Sequence, residues 1–107
     1  EGDRRSAHPR FAAENIEENN KKVAVIEQIA ETRGFKPAQV AIAWVLAQDE
    51  MIVPIPGTKH RKYLDENVRA IDIALDEDQI KQLSDAFPAG ETAGDRYPAG
   101  QMKRLGL

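Results

Sequence analysis

The residues best suited to chemistry lie in one short segment, where a glycine and a hydroxyl residue precede a run of cations. Gly57 lets a ligand approach the backbone closely, and Thr58 is a good candidate for the N-cap of a helix. Lys59, Arg61 and Lys62 then fall in the first helical turn, where the helix dipole disfavours each cation by about 0.3–1 kcal/mol. This charge pattern indicates a bound anion, with phosphate as the first choice. A solvated basic surface is the alternative that charge alone leaves open.

Other kinds of site find little support in the sequence. The chain has no cysteine, which excludes a disulfide framework, a thiol nucleophile and cysteine-ligated metals. His8 and His60 have no partners at metal-binding spacing, so neither is expected to be a ligand or a base. Asp76, Glu77 and Asp78 are better explained as cap and first-turn charges than as paired catalytic carboxylates. Neither a metal site nor a catalytic residue is therefore predicted in this chain.

Length, composition and charge restrict the class of protein. The chain has 107 residues, which suits one small domain, and 41% of them are hydrophobic, which is enough for a packed core. A formal charge of −3 argues against a general nucleic-acid binder. No apolar run approaches the ~20 residues that span a bilayer, so no membrane partner is expected. Without a signal peptide, a cytoplasmic location is the default, and the first residue, Glu1, suggests a chain processed or cut from a longer one.

Helices and a single strand are predicted to position the basic segment. Periodic apolar residues predict helices over residues 17–33, 37–48, 59–71 and 77–86. Gly34 lies just beyond the first helix, and Pro37 fits the first position of the second. The second helix is apolar nearly all round, so it is expected to be deeply buried. Residues 1–12 are predicted to be loop, and residues 88–107 to be a C-terminal loop and tail.

Met51–Ile55 is a short apolar run with β-branched residues, and it is predicted to be a buried strand. Pro54 favours an edge or a bulge, because proline cannot donate to a ladder. A buried strand must pair its backbone groups, and no second strand is predicted in this chain. We therefore expect this strand to join a larger parallel sheet, whose other strands come from outside these residues or from another chain.

The residues around the basic segment resemble a known family. Ile55–Lys59, followed by Leu64, Glu66 and Asn67, is similar to the cofactor segment of the aldo-keto reductases. The similarity extends to other stretches, namely Pro9–Phe11, Lys36–Leu46 and Leu75–Ile80. The first of these, together with Glu14 and Asn15, resembles a loop of the family's bacterial branch. Because the resemblance is spread over several elements, it is more specific than one short motif.

This resemblance implies a fold and a reaction. Aldo-keto reductases are (β/α)8 barrels that reduce aldehydes or ketones with NADPH. The fold class implied is α/β, with residues 1–107 as a single C-terminal segment of such a barrel, mostly helical with one parallel-type strand. The family's catalytic Asp, Tyr, Lys and His come from the first part of the barrel, and none of their motifs occurs here. The isolated chain is therefore expected to be inactive, with a small carbonyl substrate and the remainder of the barrel as its partners.

The resemblance also implies contacts with the phosphates of NADPH. Gly57 and Thr58 would supply backbone and hydroxyl contacts, and Lys59 would lie beside the adenosine 2′-phosphate. Arg61 is a second cation for that phosphate, because its planar fork suits phosphate oxygens. Some relatives carry a lysine at the position of Gly57, so here the cationic role falls to Lys59 or Arg61.

Further residues are implied to contact the adenine and the substrate. Tyr63 occupies a position near the 2′-phosphate and adenine, where relatives have Arg or Gln, and it could stack or hydrogen-bond there. Glu66 and Asn67 would accept from and donate to the adenine edge. The family often uses its C-terminal loop for substrate, which directs attention to Arg96 and Tyr97.

Two other interpretations remain open on the sequence. The second and third helices could imitate a helix-turn-helix that reads DNA, but Glu50–Gly57 is too long and too apolar for that turn. Binding of DNA with a steep salt dependence would support this interpretation. A noncatalytic remnant, which keeps the reductase sequence without the activity, is also compatible with these residues.

Overall fold

The computed structural model describes residues 3–105, which form helices joined by irregular segments. The α-helices are α1 Ala13–Arg33, α2 Pro37–Leu46, α3 Arg61–Val68, α4 Glu77–Ala86 and α5 Ala99–Met102. Short 3₁₀ helices cover Arg4–Ala7, Pro9–Phe11 and Arg69–Asp72. Within residues 3–105, no helix has the length and apolar character required to cross a membrane.

The end of α1 follows from its local sequence, as predicted. Gly34 has a φ of +70°, a left-handed conformation that glycine adopts without a steric penalty. The Phe35 N–H then donates to the Ala30 carbonyl at 2.9 Å, and the Gly34 N–H donates to the Glu31 carbonyl at 3.3 Å. This pair of bonds is the Schellman arrangement, which satisfies carbonyls in the last turn. The helix begins at Ala13, earlier than the predicted residue 17.

The starts of α2 and α4 also agree with the prediction. Pro37 is the first residue of α2, although the helix ends at Leu46 rather than at residue 48. At α4, the Asp76 carboxylate accepts from the Gln79 N–H at 2.8 Å, and the Gln79 side-chain oxygen accepts from the Asp76 N–H at 3.2 Å. These reciprocal bonds form a capping box, so α4 covers its predicted range.

The described residues divide into two compact units. The central unit is Ala24–Ala86, and the terminal unit combines residues up to Val23 with those from Phe87 onward. The buried hydrophobic side chains of the described residues all belong to the central unit, and they are Ile29, Ala30, Val40, Ala43, Ala70 and Leu83. On α2 only one face is buried, and the other apolar side chains are half-buried or, at Pro37 and Ala38, exposed. The predicted deep burial of this helix is therefore found on that face alone.

The terminal unit is organised by polar side chains that bind backbone groups. The Asn19 side chain donates to the Ala93 carbonyl at 3.1 Å and accepts from the Ala93 N–H at 2.9 Å. Gly94 has a φ of +80°, and a Cβ at this residue would lie only 2.6 Å from Asn15 Nδ2 and 2.9 Å from the Pro9 carbonyl carbon. Glycine is therefore required at residue 94, both for its conformation and for space.

The prediction of a buried strand at Met51–Ile55 is wrong. No strand is present anywhere in residues 3–105, and this segment is irregular. A strand needs a neighbour for its ladder, and the described residues provide none, while Pro54 and Pro56 lack the N–H that a ladder requires. The apolar side chains also lack a covering layer, since Met51, Val53 and Ile55 are 88%, 81% and 91% exposed.

Candidate functional site

The basic turn lies where the irregular segment leads into α3. The N-cap is His60, with φ −120° and ψ 130°, so the predicted N-cap at Thr58 is wrong and the helix starts at Arg61. The Thr58 hydroxyl accepts from the His60 N–H at 3.2 Å and lies 3.2 Å from the His60 carbonyl oxygen. The Thr58 hydroxyl therefore stabilises the turn before the helix. The His60 carbonyl accepts the first helical hydrogen bonds, from the N–H groups of Tyr63 and Leu64 at 3.1 Å each.

This turn borders a surface depression of about 180 Å³. The depression is lined by Thr58, Lys59, His60, Arg61 and Leu64. Three of the residues predicted to bind phosphate, Thr58, Lys59 and Arg61, are thus brought together. Gly57 comes just before them, and neither a positive φ nor crowding within 4 Å of a Cβ requires glycine there.

The electrostatics of the depression favour an anion. Lys59, Arg61 and Lys62 are exposed, and the first turn of α3 contains no acidic residue. The ion pairs found within residues 3–105 join other residues, so none of them involves Lys59, Arg61 or Lys62. The N–H groups of the first turn have no acceptors within the helix and carry the positive end of its dipole. Together these groups can bind a phosphate through charge-assisted hydrogen bonds.

The residues predicted to contact adenine lie further along α3. Tyr63, Glu66 and Asn67 are spaced three and four residues apart, which places them on one face of the helix. Glu66 is about 7.5 Å from Arg61 along the helix axis, given a rise of about 1.5 Å per residue. Glu66 and Asn67 are half-buried, whereas Tyr63 is exposed and its ring packs edge-on against His60 at 5.5 Å.

One residue that organises this helix was not singled out from the sequence. Gln39 is only 8% exposed, and its side-chain oxygen accepts from the Lys36 N–H at 3.0 Å. Its side-chain nitrogen donates to the Glu66 carbonyl at 2.8 Å, which links α2 directly to α3. The sequence contained one signal for the bond to Lys36, because Gln39 is three residues after the N-cap of α2, which is the capping-box position. No pattern in the neighbouring sequence indicated the bond from Gln39 to Glu66 in α3.

The residues suggested for substrate lie in the terminal unit. The Tyr97 ring packs against the His8 ring at a centroid distance of 5.5 Å, and His8 Nδ1 lies 3.1 Å from the Arg96 carbonyl oxygen. A cavity of about 270 Å³ is lined by Tyr97, Gln101, Arg104 and Leu105. Within residues 3–105, no group of three or more acidic or histidine side chains is placed to hold a metal ion.

Comparison with known proteins identifies the class of protein to which this sequence is similar. Residues 1–87 match the model of the aldo/keto reductase family. The chain is 46% identical over 94 residues to a probable aldo-keto reductase of Glycine max, covering 88% of this chain and 27% of the relative. It is 43% identical over 105 residues to an aldo-keto reductase of Schizosaccharomyces pombe whose name specifies NADP(+). This match covers 98% of this chain and 31% of the relative. An aldo-keto reductase of Strobilurus tenacellus is 39% identical over 94 residues, covering 88% and 28%.

The chain belongs to the aldo-keto reductase family, which confirms the resemblance inferred from the sequence. The family consists of oxidoreductases that use NAD(P)H, and membership implies a (β/α)8 barrel. The chain spans 27–31% of the length of these relatives.

Proposed function

We propose that this chain is the C-terminal, NADPH-binding part of an aldo-keto reductase that reduces aldehydes or ketones by hydride transfer. The observation that carries the proposal is the depression at the start of α3, where Thr58, Lys59 and Arg61 meet and the first helical turn contains no acidic residue. NADPH is favoured over NADH because the extra phosphate gives these cations a ligand, and one relative is named for NADP(+). When bound, the cofactor supplies the hydride.

The residues at the depression bind the phosphates in this proposal. Gly57 allows the phosphate oxygens to reach the backbone, and the Thr58 hydroxyl adds a hydrogen bond. Lys59 acts as a compact point charge beside the 2′-phosphate, and Arg61 supplies a planar fork for the same group. These side chains are exposed before binding, so they approach the phosphate without first breaking an ion pair of the described residues.

The adenine occupies the next turn of α3 in the same proposal. Glu66 accepts a hydrogen bond from the adenine edge, Asn67 donates one, and Tyr63 stacks or hydrogen-bonds beside the ring. Their shared face permits simultaneous contact with one nucleotide. Because Glu66 and Asn67 are half-buried, fewer side-chain conformations must be lost on binding.

The remainder of the barrel and a small carbonyl substrate are the proposed partners. Met51, Val53 and Ile55 lie next to the basic turn in sequence, and each exposes more than four-fifths of its surface, at 88%, 81% and 91%. Adjacent apolar side chains with this exposure are typical of a surface that another part of a protein covers. A cytoplasmic location is proposed for the assembled enzyme.

The proposal is tested by reversing the charge of Lys59 in the complete protein. Lys59→Glu is expected to raise the Kd for NADPH about 10–100-fold, the effect of losing a charge-assisted contact. The Kd for NADH should change much less, because NADH lacks the 2′-phosphate. Both constants can be measured by titrating the quenching of protein fluorescence.

Lys81→Glu is the matched control for Lys59→Glu. Lys81 also lies in the central unit, and its ion pair with Asp85 is exposed, so its loss costs little. This control should leave both Kd values unchanged although it alters the net charge equally. Equal losses of NADPH and NADH affinity in Lys59→Glu would show that Lys59 does not contact the 2′-phosphate.

The proposal also makes a prediction for the 107 residues in isolation. They should not reduce a simple aldehyde with NADPH, because the family's general acid and its partners come from preceding parts of the barrel. Oxidation of NADPH, followed by absorbance, measures this directly. The intact mass of the protein from its source is the companion measurement, and it should far exceed 11.9 kDa. Turnover by the isolated chain would contradict the prediction.

A further inference from the structure

We infer that Gln39 is a positioning residue, which holds α3 in the register that presents Glu66 and Asn67 to the nucleotide. The inference rests on the proposed function, because it concerns the same cofactor face. Gln39 lies on α2, whereas the residues assigned to the cofactor lie on α3 or in the turn before it.

The geometry of Gln39 is that of a two-sided connection. Gln39 is a polar residue that exposes only 8% of its surface. Its oxygen accepts from the Lys36 N–H at 3.0 Å, at the start of α2, and its nitrogen donates to the Glu66 carbonyl at 2.8 Å. A primary amide is suited to both bonds at once, because it carries an acceptor and a donor on one rigid plane.

The bond to Glu66 fixes the backbone from which the nucleotide contacts project. The Glu66 carbonyl lies in the last turn of α3, where carbonyls lose their partners within the helix. Because the amide is also held at the start of α2, it sets both the rotation and the axial position of this turn. A shift of the turn would move the Glu66 and Asn67 side chains together, without changing their chemistry.

A purely structural alternative makes Gln39 a cap for α2 alone. In that case only the bond to the Lys36 N–H matters, and a glutamate should replace the glutamine with little effect. Gln39→Glu keeps an acceptor for that N–H, but its carboxylate cannot donate to the Glu66 carbonyl. Gln39→Met retains a similar volume and removes both bonds.

The experiment compares these two variants with wild type in the complete protein at about pH 8, where glutamate is ionised. We expect both variants to raise the Kd for NADPH and for NADH by the same factor, about 3–10-fold, as for one lost hydrogen bond. Equal factors follow because both cofactors carry the adenine. The cofactor KM should rise by more than kcat falls.

Gln48 provides the matched control. Its side-chain nitrogen donates to the Trp44 carbonyl at 3.0 Å, so it also makes an amide-to-backbone bond, but it is exposed and its bond stays at the end of α2. Gln48→Glu and Gln48→Met repeat the same chemical changes without affecting α3. Both control variants should keep wild-type Kd values for the two cofactors.

Several results would overturn the inference. Unchanged Kd values in folded Gln39→Glu and Gln39→Met would do so. Weaker cofactor binding in Gln39→Met alone would also do so, because it would show that Gln39 acts only as the cap of α2. Loss of folded protein in both variants, measured by circular dichroism, would assign Gln39 to folding instead of positioning. A wild-type protein that binds neither cofactor would overturn the proposed function itself, a result distinct from the others.

Discussion

The central and terminal units are stabilised by different interactions. In the central unit, Val40 and Leu83 are fully buried, and the smaller side chains of Ala30 and Ala43 are buried as well. In the described part of the terminal unit, no hydrophobic side chain is buried. Burial of apolar surface is non-directional and large in sum, whereas hydrogen bonds are directional and contribute little each. The two units should therefore respond to different kinds of substitution.

Four side chains from the early part of the terminal unit form hydrogen bonds with one late loop. The side chains donate to or accept from the backbone of residues 91–96. The pairs are His8 with Arg96, Arg10 with Gly94, Asn19 with Ala93, and Lys22 with Glu91. Each bond contributes about 0.5–1.5 kcal/mol, so together they specify one loop conformation with a modest stability.

This difference also distinguishes the predicted cofactor residues from the residues suggested for substrate. The depression at Lys59 and Arg61 belongs to the unit that has a buried core, whereas Arg96 and Tyr97 belong to the hydrogen-bonded unit. A site for a constant cofactor benefits from a fixed scaffold, and a loop with modest stability adapts more easily to varied substrates.

Leu83→Ala is the substitution expected to have the largest effect. Leu83 has an exposure of 0%, and deletion of a fully buried leucine side chain costs about 2–5 kcal/mol. Denaturant unfolding should report this loss, and hydrogen exchange by mass spectrometry should place it in residues 24–86. The control is Leu105→Ala, since Leu105 is 44% exposed and belongs to the terminal unit. Equal destabilisation by both substitutions would contradict the assignment of the core to the central unit.

Local chemistry made three of the helix ends predictable from the sequence. The positive φ of Gly34, Pro37 at the first position of α2, and the reciprocal bonds between Asp76 and Gln79 all depend on residues within a few positions of each other. The basic character of the turn at Lys59 was visible for the same reason. Such signals do not require knowledge of the remaining fold.

Two features that depend on distant partners, and one local cap, were not predicted correctly. The apolar run Met51–Ile55 resembles a strand by composition, but a strand exists only with a neighbouring strand, and the described residues offer none. The Thr58 hydroxyl binds the backbone of His60 instead of capping the helix. The N-cap is therefore His60, two residues after the predicted one. The Gln39 bond to Glu66 joins positions 27 residues apart, a separation at which the sequence pattern carries no pairing information.

Asn19→Ala is expected to have a smaller effect, confined to the terminal unit. The substitution removes both bonds to Ala93 and should weaken the loop by about 1–3 kcal/mol, because the N–H and carbonyl of Ala93 lose their partner. Hydrogen exchange should accelerate in residues 91–97 and stay unchanged in residues 24–86. Asn20→Ala is the control, since Asn20 is exposed and adjacent, and it should leave exchange in both regions at the wild-type rate. Faster exchange throughout residues 24–86 in Asn19→Ala would mean that the hydrogen-bonded loop and the buried core open together, so that the two units do not have separate stabilities.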